Sequence, residues 1–212
     1  MGFPGIDLYS LLINLPAVIW AISFHEFCHG YVAYLLGDPT AHHQGRLTLN
    51  PLAHFDLVGT LMLLFFHFGW AKPVPINTRY FRNPRRDILL VSLAGVAGNL
   101  LTAVVCTLFL RFLGGPWMTR TGLQVVFMMI YTNLGLAAFN LIPIPPLDGS
   151  KVLYSFLPFH LLKHYYWLER YGIFILWALV LTRAINVIVG PLFSFFASLL
   201  PFGDYSFLYR FL

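Results

Sequence analysis

The chain has 212 residues, of which 58% are hydrophobic, 17% aromatic and only 10% charged, more apolar surface than a soluble domain of this size can hide in one core. Its apolar runs are long and continuous, without the alternation of barrel strands, so the expected class is an all-α, polytopic integral membrane protein in a lipid bilayer. The net charge of +5 points to no nucleic acid, because Lys and Arg cluster beside apolar segments, and Cys28 and Cys106 inside such segments imply no disulfide framework.

The first residues lack a basic leader region, so the first apolar segment is expected to stay in the mature protein. A helix is expected over about 9–36, stopped by Gly37-Asp38-Pro39, with Pro16 read as a kink and Asn14 as an interhelical bond. Its second half carries His25-Glu26-Phe27-Cys28-His29. Two imidazoles four positions apart share one helix face and can hold zinc, and the neighbouring Glu26 can take a proton from a zinc-activated water. With eight His and two Glu in the chain, roughly 0.003 matches to this spacing are expected by chance. The rival reading is a pair of histidines that only bond neighbouring helices. Burial of three such side chains in hydrocarbon favours a functional site.

Residues 44–51 alternate briefly and end in Asn50-Pro51, which reads as a strand or hairpin. The next apolar run, 57–70, is about 21 Å long as a helix, too short for about 30 Å of hydrocarbon. A re-entrant or β-hairpin segment over about 45–70 is therefore expected between the first two long helices. Residues 72–77 read as rigid and extended. With Lys72, the residues Arg79, Arg82, Arg85 and Arg86 form the strongest positive cluster and mark a cytoplasmic loop. Helices over about 88–113 and 123–141 go out and return, delivering Asn140 through Gly149 to the side of the metal motif. The prolines there should break the helix and leave Asp148 on a turn. A more polar stretch over 151–170 precedes a last span over about 173–189, and Gly190-Pro191 is expected to separate that span from an apolar tail.

A catalytic zinc usually takes three protein ligands, and the motif supplies two. Of the aspartates Asp7, Asp38, Asp56, Asp87, Asp148 and Asp204, Asp148 is the one a proline-broken helix end brings to membrane depth; on sequence alone an ordinary turn accounts for it equally well. The motif 25–29, Gly-Trp-Ala-Lys-Pro-Val-Pro-Ile-Asn at 69–77, Gly95-Val96-Ala97-Gly98-Asn99 and the Asn140 to Gly149 segment together closely resemble the site-2 protease family of intramembrane zinc metalloproteases. The likeness covers about 23–151, and the compact form is similar to the short prokaryotic members. It implies a single metalloprotease domain over 1–212. It implies one zinc ion held by His25, His29 and Asp148, Glu26 as general base, and Asn140 near the active site, positioning substrate or stabilising the oxyanion. Family members usually carry a proline in the segment where this chain has 95–99, so the small residues there read equally as a helix-packing face or, through Asn99, as a substrate contact. The expected substrate is a membrane protein, single-span, cut in a prokaryotic inner or plasma membrane from the cytoplasmic side, with residues 42–78 controlling access or pairing with an unwound substrate strand.

Two other functions compete. His42, His43, His54, His67, His160 and His164 suggest a membrane di-iron oxygenase or desaturase, a reading that leaves Glu26 and Asp148 without a purpose. A zinc or proton-coupled transporter would use the same buried ionisable groups, but the sequence shows no inverted repeat.

Overall fold

A helix that starts in an apolar run ends where its carbonyls find other donors. In α1 (Leu8–Leu35), 28 residues pass through Pro16 as one helix, about 42 Å long and so longer than the hydrocarbon core is thick. It stops at Gly37, whose φ of 102° turns the chain so that the Asp38 amide donates to Ala33 O at 2.9 Å, satisfying a terminal carbonyl. The computed structural model of the chain describes residues 8–56, 59 and 71–201.

After one helical turn, α2 (Thr40–His43), residues 44–50 form turns and bends, not the expected strand or hairpin, and no strand occurs among the described residues. Local partners explain the correction. Arg46 N donates to Ala41 O at 2.8 Å, Asn50 N to Thr48 Oγ1 at 3.1 Å, and the Asn50 side chain caps the 3-10 turn Pro51–Ala53 through Leu52 N. Short polar side chains here close backbone groups that a ladder would need. The run expected to be re-entrant, 57–70, lies outside the described residues except for Gly59.

Helix α3 (Pro84–Leu113) begins with proline in its first turn and Asp87 accepting from Asn83 N at 3.0 Å. Helix α4 (Arg120–Asn140) begins with the Thr119 hydroxyl accepting from Gly122 N at 3.1 Å. Both start earlier than their apolar patterns suggest, because the caps lie in polar sequence upstream. Among the described residues these two helices are long and apolar enough to cross a membrane. Then follow α5 (Asp148–Phe156), α6 (Leu162–Leu181) and α7 (Ile185–Leu199). The expected last span thus starts at Leu162 and ends at Leu181. The chain bends by 85° between α6 and α7, with Arg183 at φ 59°, so the break precedes Gly190-Pro191, which lies inside α7. The bent pair counts as a third span if it is taken as one.

Helices α1, α3 and α4 pack on one another, α5 packs on α3, and α7 on α4. Phe112, Phe174 and Leu181 are 70% exposed or more, a surface suited to lipid and unsuited to water. The α1–α3 contact depends on small residues. A Cβ on Gly98 would stand 2.5 Å from Cys28 Sγ. Gly98→Leu is therefore expected to destabilise the protein by about 1–3 kcal/mol, read as a lower thermal unfolding midpoint in detergent. Gly190→Ala, where nothing lies within 4 Å, should leave that midpoint unchanged or raise it.

Candidate metal centre

His25 and His29 lie one turn apart on α1, their rings edge to face with centroids 4.5 Å apart. Asn99 of α3 is fully buried, and its amide nitrogen donates to Ala21 O at 3.1 Å and to Asn133 Oδ1 at 2.8 Å. Its oxygen therefore accepts, and the His25 Nδ1 that lies 2.6 Å away is assigned the proton from this network. His29 Nδ1 donates to the Val91 carbonyl, also at 2.6 Å. In its neutral form each imidazole therefore turns an unprotonated Nε2 inward.

The third group arrives from α4. Pro143, Pro145 and Pro146 prevent the helix from continuing past Asn140, and tight turns carry the chain from Leu141 to Leu147, with Leu147 N donating to Ile144 O at 3.0 Å. Asp148 is the first residue of α5. A Cβ on the following residue, Gly149, would collide with the carbonyl oxygens of Leu141 and Ile142, so only glycine permits the chain to fold back this closely. The turn places Asp148 Oδ2 3.1 Å from His25 Nε2 and 2.9 Å from His29 Nε2, with the two nitrogens 2.9 Å apart. The other carboxylate oxygen lies 3.3 Å from Lys151 Nζ.

His25, His29 and Asp148 are 5%, 6% and 5% exposed. With both Nδ1 protons directed outward, three lone-pair atoms face one another in a dry site, an arrangement that repels itself until a cation sits between them. Two imidazoles and one carboxylate are a donor set used by catalytic zinc, and their spacing suits bonds of about 2.0–2.2 Å to one ion. Gly95 keeps that space clear, since a Cβ there would stand 2.5 Å from His29 Nε2 and 2.6 Å from His25 Cε1.

Glu26 is held separately. Its Oε2 accepts from Val74 N at 2.8 Å, in a strap, 71–77, that is free of regular secondary structure and includes the 72–77 run read from sequence as rigid and extended. The strap is tied down by Lys72 N to His54 O at 2.9 Å, by Arg46 Nη2 to Lys72 O at 2.7 Å, and by Asn77 N to Asp38 Oδ2 at 2.6 Å. Asp38 is 1% exposed; it is a strut for the strap and stands outside the metal-type cluster.

Comparison with known proteins adds an independent observation. The sequence profile described as peptidase family M50 matches residues 113–179. YwhC of Bacillus subtilis, named for zinc metalloprotease activity, is 38% identical over 197 residues, 88% of this chain and 90% of its own length. The chain belongs to peptidase family M50. Rip2 of Mycobacterium tuberculosis is 34% identical over 142 residues, 63% of this chain and 54% of its own length. MJ0611 of Methanocaldococcus jannaschii is 30% identical over 154 residues, 72% of this chain and 74% of its own length; both are likewise named for zinc metalloprotease activity. No solved structure matches the chain.

Among the described residues of this M50 chain the remaining histidines form no further metal-type group. Among the described residues the group with metal-ligand geometry is His25, His29 and Asp148. His54 bonds Thr48 O at 2.8 Å, His42 and His43 pack on each other, His160 and His164 are exposed, and His67 lies outside the described residues. Asn140 donates to Leu136 O at 3.1 Å. Asn133, Lys151 and the Val91 carbonyl are partners that motif reading misses; for Asn133 the available signal is a lone amide in an apolar helix. Asn99→Ala is expected to weaken zinc binding by about 10–100-fold, measured by competition with a chromophoric chelator, with helix content unchanged by circular dichroism.

Proposed function

We propose that this protein is an intramembrane zinc metalloendopeptidase that hydrolyses peptide bonds within or near transmembrane segments of other membrane proteins. The observation that carries this reading is the convergence of His25 Nε2, His29 Nε2 and Asp148 Oδ2 with a glutamate adjacent in sequence to the first imidazole. Zinc bound there supplies Lewis acidity toward a water and the scissile carbonyl, lowering the pKa of that water toward neutrality.

The chain's own groups do the rest. Glu26 accepts a proton from the attacking water and delivers it to the departing nitrogen. The Val74 amide engages one oxygen of that carboxylate, leaving the other to carry the proton. Asn99 and the Val91 carbonyl hold the two rings in the tautomer that presents Nε2, a positioning role for Asn99 in place of direct substrate contact. Lys151 engages Asp148 Oδ1 and so presents Oδ2 as the single donor. Asn140, at the end of α4, is proposed to position the substrate chain.

Charge supports a reaction side. Val91 lies seven residues into α3, about 10 Å along its axis, and the start of that helix carries Arg85 and Arg86 with Arg82 just before it. Positive residues favour the cytoplasmic side, which supports a centre open to the cytoplasm of a prokaryotic inner or plasma membrane. The substrate class is a single-span membrane protein whose helix must unwind locally before its amides can be attacked, and residues 1–212 act as one protease domain.

Two measurements test this. Glu26→Gln should reduce cleavage of a reconstituted single-span substrate by about 10²–10⁴-fold while zinc content, read by atomic emission, stays near one per chain. Chelation of zinc from the wild type should abolish cleavage, and added zinc should restore it. Full activity in the glutamine variant would remove Glu26 from the chemistry.

A further inference from the structure

A cavity of about 460 Å³ opens between the strap, the first turns of α3, and helices α5 and α6, within the size range of sites that enclose small ligands. One wall is shared with the centre. Val74 N holds Glu26, Val91 O holds His29, Lys151 Nζ holds Asp148, and all three residues line the cavity. Another wall is the polar first half of α6, with Tyr165, Tyr166 and Glu169. A second cavity of about 380 Å³, beside the proline turn, shares Lys151, Tyr165 and Glu169 with the first.

The chain has two glutamates, Glu26 and Glu169. Glu26 is bonded to the strap, whereas Glu169 is exposed, lines both cavities, and among the described residues forms no ion pair. Its carboxylate lies within electrostatic reach of the Tyr165 phenol, as do the phenols of Tyr154 and Tyr166, so the polar ends of these four side chains gather in one place. The rings form a continuous aromatic surface, with centroids 5.1 Å apart for Tyr154 and Tyr165 and 6.1 Å apart for Tyr165 and Tyr166. Aromatic faces beside a carboxylate attract a cation. The apolar side chains of Phe81 and Ile88 in the same cavity suit the methylene stem of a long basic residue. Lys151 does not fill this role, because Asp148 holds its ammonium at 3.3 Å; its charge instead disfavours a second cation at the metal end. The membrane face is set by Arg85, whose guanidinium lies 4.3 Å from the centre of the Phe159 ring and ties the turn before α6 to the basic start of α3. On the cytoplasmic reading of that face, the flank of a single-span protein is rich in Lys and Arg.

We propose that this cavity is a specificity subsite for a basic side chain of the substrate, a lysine or arginine on the cytoplasmic flank of the cleaved segment, whose cation is taken by Glu169 and the ring of Tyr166. The proposal rests on the protease reading and names the substrate feature that the enzyme prefers. It makes Glu169 a specificity-determining residue separate from the metal ligands and the general base.

The test uses the zinc-loaded protein in liposomes of zwitterionic phosphatidylcholine, with a single-span substrate whose cleavage site is mapped by mass spectrometry. Every Lys and Arg on the substrate's cytoplasmic flank is replaced by Met, a single Lys is returned at each flanking position in turn, and kcat/KM is compared. At one position the wild type should prefer Lys over Met by about tenfold, chiefly through KM, and the preference should shrink at high salt. Glu169→Gln should bring that ratio toward one. Glu169→Lys should invert it and favour Glu at the same substrate position, and Tyr166→Leu, at an exposed ring, should lower it by about two- to fivefold. Zinc content equal to wild type certifies each variant's fold. Equal cleavage of the Lys and Met substrates at every position by the wild type, or a ratio unmoved by both Glu169 variants, overturns the subsite and leaves the protease reading standing. Absence of cleavage of every substrate by the zinc-loaded wild type overturns both.

Discussion

The arrangement of the rest of the structure depends on where two protons sit. Both imidazoles give their Nδ1 hydrogen to acceptors on α3, one to the Asn99 side chain and one to the Val91 carbonyl, and the Nε2 atoms are thereby left bare and facing Asp148. An Nε2 proton on either ring would make an ordinary buried hydrogen bond and a closed polar cluster. Donors placed behind the rings convert the same three side chains into a cation trap. That difference lies in the backbone and amide partners of α3, not in the three ligands themselves.

The fold serves this constraint. Close packing of α1 against α3 brings the acceptors within reach, and it is available because Gly95 and Gly98 remove the side chains that would stand in the way. Proline-rich sequence after α4 then ends a membrane-depth helix early, so that Asp148 enters as the first residue of a new helix. Within that break Ile144 N donates to Ile142 O at 2.8 Å and Leu147 N to Ile144 O at 3.0 Å, local bonds that help irregular chain to be tolerated among apolar helices. Polar groups buried among apolar helices are satisfied as one network running from Met129 O through Asn133 and Asn99 to His25, which limits the energetic penalty of keeping them there.

Much of this was legible in the residues. The first helix and the paired imidazoles follow from spacing and apolar context, and the arrival of Asp148 follows from prolines that end α4. The helix starts were less legible, since the Asn83-Pro84 and Thr119 caps lie outside the apolar pattern. The hairpin expected at 44–51 failed because Thr48 and Asn50 close local turns, and a short alternating run does not reveal where its amides bond. The elbow between α6 and α7 was misplaced because Gly-Pro is a strong breaker in water, whereas inside an apolar helix it is accommodated and the break falls at Arg183. For Asn99, residue type alone could not separate a helix-packing position from a substrate contact; only the third dimension shows both ends of its amide engaged, one of them on His25. Partners supplied by backbone atoms, such as Val91 O and Val74 N, leave no mark in side-chain identity.

The strap from 71 to 77 has one last consequence. Pro73 and Pro75 carry no amide hydrogen, and those of Lys72, Val74 and Asn77 are already committed to His54, Glu26 and Asp38. An extended polypeptide lying alongside finds no continuous row of donors to zip onto. The strap is thereby suited to holding Glu26 rather than to gaining an added strand from a neighbouring chain.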